Sequence, residues 1–418
     1  MEIDKTIARR IVETVGANGI PPEGGFEYFS YGLDNYLKLF ENEYFKDFIK
    51  NGGSSFKMIL GAYGGGKTHF LYSLRDIAWK NNFVVSYVSL SVNEAPLAKL
   101  ELVYRAIMAN CMYSNSLNDV ITMGIEKGIS PILTKWYHDL RTNLAERNVA
   151  KNDEYDLFSK EVEGKLEIIE NVNFRHAISA IMENLFYERP EKIKEILQWL
   201  TGSGYEKHVH KQYNILYPIT RTNAFSMIRS LVQFIRGLGY SGLIILFDEA
   251  ESIPSISTRE KDLMLSNLRE LIDSCAQVSF SNVMLFYAVC DENFLEGKTH
   301  IYEALKQRTS SVFSFVNPSG VKINLEDLHK NPTELLVGIG KNLSVIYEQA
   351  YDTQFKNNNL DELIKILADS SFERRFGDIG YKRLFVQGAI KLFHYMRFYP
   401  DTKLDVSAIH KLLDGETL

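Results

Sequence analysis

The sequence is short of the features that mark several protein classes. Cysteine is scarce, with three in 418 residues. Cys111, Cys275 and Cys290 lie far apart and form no CxxC pair. Neither a disulfide framework nor a zinc site of the usual spacing is expected, and the three read as buried thiols. Long apolar runs are missing too. Stretches such as Leu243–Phe247 are strand-sized, well short of a membrane span. The first residues carry charge early and have no apolar secretory core, so a cytoplasmic protein is expected. Positive charge is not in excess. The formal net charge of −6 argues against a surface that grips nucleic acid over its whole extent. Aromatic residues are dispersed rather than interleaved with a basic run, so no stacking platform for single strands stands out. Internal repeats and low-complexity segments are also lacking.

What is present is ordinary globular material. Hydrophobic residues make up 45% and charged residues 24%, enough to bury a core across two or three compact units. Lys5–Val15 is expected to be a short helix ending at Gly16, followed by a rigid loop at Gly19-Ile20-Pro21-Pro22. Asp34–Phe40 and Tyr44–Ile49 read as two helices, broken off at Gly52-Gly53. Ser55–Leu60 reads as a buried strand entering a glycine-rich turn, His69–Lys80 as the helix after it, and Phe83–Leu90 as the next strand. In Thr222–Leu238 the residues Ala224, Phe225, Ile228, Leu231, Val232, Ile235 and Leu238 share one helical face. Gly242–Phe247 and Val283–Val289 are buried strands, and beyond Asn331 the pattern is helical with a break at 377–380. The fold class expected is α/β, a parallel sheet with a helical insertion and a helical C-terminal lid. Residues 1–113 and 218–330 form the two parts of the core, 114–217 the insertion and 331–418 the lid.

Two motifs carry chemistry. Gly61-Ala62-Tyr63-Gly64-Gly65-Gly66-Lys67-Thr68 satisfies G-x-x-x-x-G-K-[ST] between a strand and a helix. Glycines let successive backbone N–H groups turn onto phosphate oxygens. Lys67 neutralises the β- and γ-phosphates, and the Thr68 hydroxyl is a Mg²⁺ ligand. The helix that begins at His69 turns its positive end to the triphosphate. The expected ligands are ATP and Mg²⁺. The second motif is the apolar strand ending in Asp248-Glu249. Carboxylates at the C-terminal end of a parallel strand face the ligand crevice. Asp248 suits Mg²⁺, and Glu249 suits polarisation of the attacking water. Glu251 reads as a surface or capping carboxylate.

Three weaker signals stay open. Asp291, just past the strand ending at Cys290, either touches the γ-phosphate or the water, or caps a strand end. Arg308 ends a helical run, where it serves as an arginine finger toward a neighbour or simply favours the helix dipole. His208 and His210, between Lys207 and Lys211, read as a solvated loop rather than a metal site.

The chain resembles the ATP-binding proteins of BREX phage-defence systems, of the short BrxD-like type. The likeness is carried by Arg9-Arg10-Ile11-Val12-Glu13, Gly19-Ile20-Pro21-Pro22, Ser54-Ser55-Phe56 and Gly64–Leu71. It continues in Leu238-Gly239-Tyr240-Ser241-Gly242-Leu243 and Phe247–Ser252. The resemblance implies an AAA+-like ATPase near the initiator and helicase-loader branch. It implies Glu249 as the water-activating acid, Arg308 as the arginine finger and Arg383 as a lid arginine, with Arg374 and Arg375 as competitors. It sets Ile11, Pro21 and Pro22 near the adenine. It further implies an ATP-dependent homo-oligomer that loads or remodels a helicase or another defence component, with DNA reached directly or through that partner. Where relatives carry a sensor asparagine after the fourth core strand, this chain has Cys290-Asp291. About twenty residues follow the last lid helix, too few for a winged helix, so ATP binding rests on firmer ground than duplex binding. A nucleotide-gated scaffold that hydrolyses slowly is the alternative expectation, and a small-molecule kinase is disfavoured.

Overall fold

The computed structural model describes residues 3–90, 95–114, 124–147, 152–250, 257–277, 279–295, 300–355, 359–376, 380–402 and 404–415. Glu251 and most of the 377–380 break lie outside them. Six strands form one sheet: β1 (Ser54–Leu60), β2 (Val84–Ser89), β3 (Cys111–Met112), β4 (Leu243–Asp248), β5 (Val283–Val289) and β6 (Lys322–Asn324). Their order is β3-β2-β4-β5-β1-β6. All pairings are parallel except β2 with β3. Strands β4 and β5 are buried along their whole length, as expected when helices cover both faces of a parallel sheet. This is a P-loop NTPase fold. Strand β5 separates the P-loop strand β1 from the acidic strand β4.

The N-terminal helix α1 runs Lys5–Asn18, capped by the Asp4 carboxylate and ended by Gly19 in the left-handed region. It therefore passes straight through Gly16, where the sequence reading ends it. A side chain at Gly16 would meet Ile390 at 2.9 Å, so this glycine serves close packing rather than termination. Helix α2 (Asp34–Leu39) runs directly into π-helical Phe40–Phe48. The two helices expected here are thus one rod. Its π-helical part buries Phe40, Tyr44 and Phe45 against one sheet face with α3 (Lys67–Lys80).

On the other sheet face lie α4 (Leu100–Ala109), α5 (Ile129–Glu146), α6 (Glu154–Leu166), α7 (Val172–Phe186) and α8 (Pro190–Leu200). The short α9 (Lys207–His210) precedes α10 (Ala224–Gly237). Helices α11 (Thr258–Ala276) and α12 (His300–Thr309) complete that layer. Helix α11 opens with a full capping box, Ser257 against Glu260. The described residues of 114–217 pack onto the sheet. Trp136, Phe158, Phe174 and Trp199 share one apolar cluster with Leu243 and Leu285 of the strands. His210 is buried, with Nε2 at 3.1 Å from the Glu195 carbonyl and its ring stacked on Tyr205. The solvated loop expected at this position is in fact a helical turn anchored by its second histidine, while His208 is exposed.

The C-terminal helices α13 (Pro332–Tyr351), α14 (Leu360–Glu373), α15 (Tyr381–Phe398) and α16 (Val406–Asp414) form a separate cluster that includes α1. Ile11, Val12 and Val15 of α1 are buried in it with Leu336, Phe385 and Ile390. The N-terminal helix is thereby packed with the C-terminal bundle, beside the mouth of the P-loop. Among the described residues no helix is long and apolar enough to cross a membrane.

Candidate functional site

Strand β1 ends at Leu60 and α3 begins at Lys67, so Gly61–Gly66 turn between a strand end and a helix N-terminus. Gly64 and Gly66 have φ of 67° and 97°, conformations that L side chains rarely adopt. The Lys67 ammonium donates to the Gly61 carbonyl at 2.8 Å and lies 3.0 Å from the Cys290 thiol. The loop opens into a cleft of ≈ 360 Å³ between the sheet and the C-terminal bundle. Ala62, Tyr63, Gly64, Gly65, Gly66, Lys67, Thr68 and His69 all line it.

The register of β2 on β4 pairs Ser89 with Asp248 and Tyr87 with Leu246, which sets two hydroxyls beside the acidic pair. Thr68 donates to Asp248 Oδ2 at 3.0 Å, and Tyr87 donates to the same oxygen. Burial and the Asp248 charge push the Tyr87 phenol far up, so it stays a donor. Glu249 has φ of 55° and receives the Ser89 hydroxyl on Oε2 at 2.5 Å. The acidic pair is therefore held at the cleft by two residues of β2 that the motifs do not include. Their signal was polar residues at the end of the neighbouring strand, legible only once β2 is paired to β4.

Helix α15 supplies the opposite wall. A Cβ at Gly380 would fall 1.8 Å from the Tyr63 carbonyl, so the start of α15 rests directly on the phosphate loop. Lys382 donates to the Gly65 carbonyl at 3.0 Å and to Glu326 at 3.1 Å. Tyr381 donates to the other Glu326 oxygen at 2.6 Å. Burial pushes the Lys382 amine down, and Glu326 opposes that. Arg383 lines the cleft with its Nε buried and without a hydrogen-bond partner among the described residues. A buried guanidinium nitrogen left unpaired beside a phosphate loop is the donor an anion would satisfy.

Of the remaining sequence candidates only Pro21 lines the cleft among the described residues. Pro22 is buried outside its lining. Ile11 is buried in the bundle core, where a side chain at Gly25 would meet it at 3.1 Å. Asp291 is exposed and accepts the Asn293 N–H at 2.8 Å. Arg308 does not line the cleft. Its Nε and Nη2 grip Asp273 of α11 at 2.5 and 3.0 Å, and its side chain is 33% exposed. Arg374 is paired with Asp414, and Arg375 covers Phe372 and Phe376. Cys111 and Cys275 are buried thiols as expected, but Cys290 stands at the end of β5 beside Lys67. Among the described residues no cluster of three or more metal-ligating His, Cys, Asp or Glu side chains occurs.

Two histidines in the cleft titrate low. Burial pushes His69 and His329 down to about 4, and the Lys382 charge adds to it in both. A histidine depressed on folding binds fewer protons in the native than in the unfolded state. Its stabilisation is full above the ordinary value of 6.5 and is lost as pH falls toward 4. Thermal melts are expected to show a falling Tm across that window, with a shallower fall in His69→Gln. An identical slope in the variant would assign the loss to other groups.

A family model described as BREX system ATP-binding protein BrxC/D matches residues 3–410. No curated protein and no solved structure matches the chain.

Proposed function

Because the chain belongs to the family of BREX system ATP-binding proteins BrxC/D, we propose that it hydrolyses the ATP it binds. The cycle would load or remodel a helicase or another DNA-acting component of the defence system. The observation that carries this reading is the convergence of Lys67, Thr68, Asp248, Glu249 and Arg383 on one cleft. The Thr68 hydroxyl and Asp248 carboxylate are hard oxygen donors 3.0 Å apart, a pair that fits Mg²⁺. When bound, Mg²⁺ would neutralise charge on the phosphate oxygens. Lys67 exchanges the Gly61 carbonyl for a phosphate, and the loop N–H groups hold the rest of the chain of phosphates. Glu249 leaves Ser89 and takes the proton of the attacking water. Arg383 pairs its free Nε with the terminal phosphate.

The strand order, with β5 between β1 and β4, supports the AAA+-like reading and with it an oligomer. In that arrangement Arg308 trades Asp273 for the nucleotide of a neighbouring copy. Residues 331–418 act as the lid, and 114–217 carry a partner surface while bracing the sheet. A second reading, a nucleotide-gated switch with slow hydrolysis, draws support from two contacts. Glu249 is tied to Ser89, and Arg308 is tied to Asp273. Steady-state turnover with and without DNA, measured beside the mass of the protein in ATP, separates the readings. ATP bound without turnover under every condition would remove hydrolysis and leave the switch.

A further inference from the structure

We propose that Tyr31 is the platform on which the nucleobase stacks, and that Gly338 is the seat that turns its ring toward the base. The proposal rests on the nucleotide-binding reading of the cleft and names the residue that reads the other end of the ligand. Tyr31 belongs to no motif, yet it lines the cleft and is 43% exposed.

The ring has a defined seat. A Cβ built on Gly338 of α13 would lie 2.5, 2.5 and 2.6 Å from Cδ1, Cγ and Cδ2 of Tyr31. A point that close to all three atoms sits over the face of the ring, near its centre, and not at its edge. One face of Tyr31 therefore lies flat on helix backbone that only glycine leaves bare. The residue as a whole stays exposed and lines the cleft.

The backbone that carries the ring is clamped on both sides. The Ser30 carbonyl accepts from Asn342, one turn after Gly338 on the same helix, at 3.2 Å. The Ser30 hydroxyl shares a 2.6 Å hydrogen bond with His69, the residue after Thr68. Gly32 leaves no room for a side chain beside His329. The distance from the phosphate loop to the ring is thus set by two short links through His69 and Ser30. The cleft that Tyr31 lines also has apolar lining, Leu335 and Ile339 of α13 with Val15 and Ile20. An aromatic face in an apolar wall, held at fixed reach from a phosphate cradle, suits a stacked base.

The test compares ATP with inorganic triphosphate, which shares the phosphates and lacks the base. Both are titrated by calorimetry into the wild-type protein, Tyr31→Ala, Tyr31→Phe and Gly338→Ala. Tyr31→Ala is expected to weaken ATP by about tenfold or more, the size of one base–aromatic stack, and to leave triphosphate unchanged. Tyr31→Phe should bind both as the wild type does. Gly338→Ala should weaken ATP selectively, because its methyl lifts the ring. Unchanged ATP affinity in Tyr31→Ala overturns the proposal while leaving the phosphate-loop reading intact. Equal losses for ATP and triphosphate overturn it as well, since they mark a ring that only supports the fold. A wild-type protein that binds neither ligand overturns the nucleotide reading and this inference together.

Discussion

Arg308→Ala is expected to bind ATP as the wild type does and to lose hydrolysis, by ~10³–10⁵-fold if the guanidinium acts as a finger on a neighbour's nucleotide. The side chain stands near the end of α12, outside the cleft of its own chain. It is one-third exposed and grips Asp273 through two nitrogens. A finger would have to leave that pair, and Asp273 would keep the arginine oriented until a neighbour's phosphates competed for it. The same geometry allows a purely structural role, a bidentate strap between α11 and α12. Mixing separates the two. Subunits with Arg308→Ala and subunits with Glu249→Gln are each expected to be nearly inactive alone. In a mixed assembly some interfaces pair an intact Glu249 with an intact Arg308, and turnover should partly return. Heteromers that form and stay inactive would make Arg308 a strap. A protein that remains monomeric in ATP at every concentration would remove the oligomeric reading as well. Asp273→Asn offers a control, because weakening the strap should loosen the α11–α12 contact without touching nucleotide binding.

Glu249→Gln is expected to keep ATP binding and to slow hydrolysis by ~10²–10⁴-fold, the usual worth of a positioned general base. Glutamine preserves the shape and can still accept the Ser89 hydroxyl, so the local structure should survive. The residue sits in the left-handed region with φ of 55°, a conformation that costs a non-glycine residue energy and that recurs at functional sites. The variant retains Asp248, whose carboxylate is held by Thr68 and Tyr87. Nucleotide affinity and turnover should therefore come apart. The companion variant Asp248→Asn should weaken Mg²⁺-dependent binding instead. If Asp248→Asn spared turnover while Glu249→Gln lost Mg²⁺-dependent binding, the two carboxylates would exchange roles. Turnover undiminished in Glu249→Gln would take the base assignment away from this residue.

The phosphate end of the site was legible in the residues because its chemistry is local. Gly61–Thr68 would bind phosphate through backbone N–H groups and two side chains within eight consecutive positions, and the strand before and helix after are written in the same stretch. The buried strand ending in Asp248-Glu249 is likewise a contiguous pattern. Composition and hydrophobic periodicity were enough for an α/β chain with a helical C-terminal part. What they left undetermined were encounters between segments far apart in the chain. Tyr87 and Ser89 meet the acidic pair only because β2 pairs with β4 in one register. Lys382 meets the Gly65 carbonyl only because α15 rests on the loop through Gly380. Gly16 reads locally as a helix stop, yet the helix continues through it, since burial against Ile390 outweighs the propensity cost of one glycine. His210 reads locally as solvated, yet the carbonyl of Glu195 and the ring of Tyr205 give it a buried place. Tyr31 carries no local signal at all, and its orientation is set by a glycine on α13, in the C-terminal bundle. Backbone conformation and contiguous ligand chemistry are decided by neighbours along the chain. Which side chain faces which cleft is decided by packing, where the free energy of burial is summed over contacts between distant segments and no single segment records it.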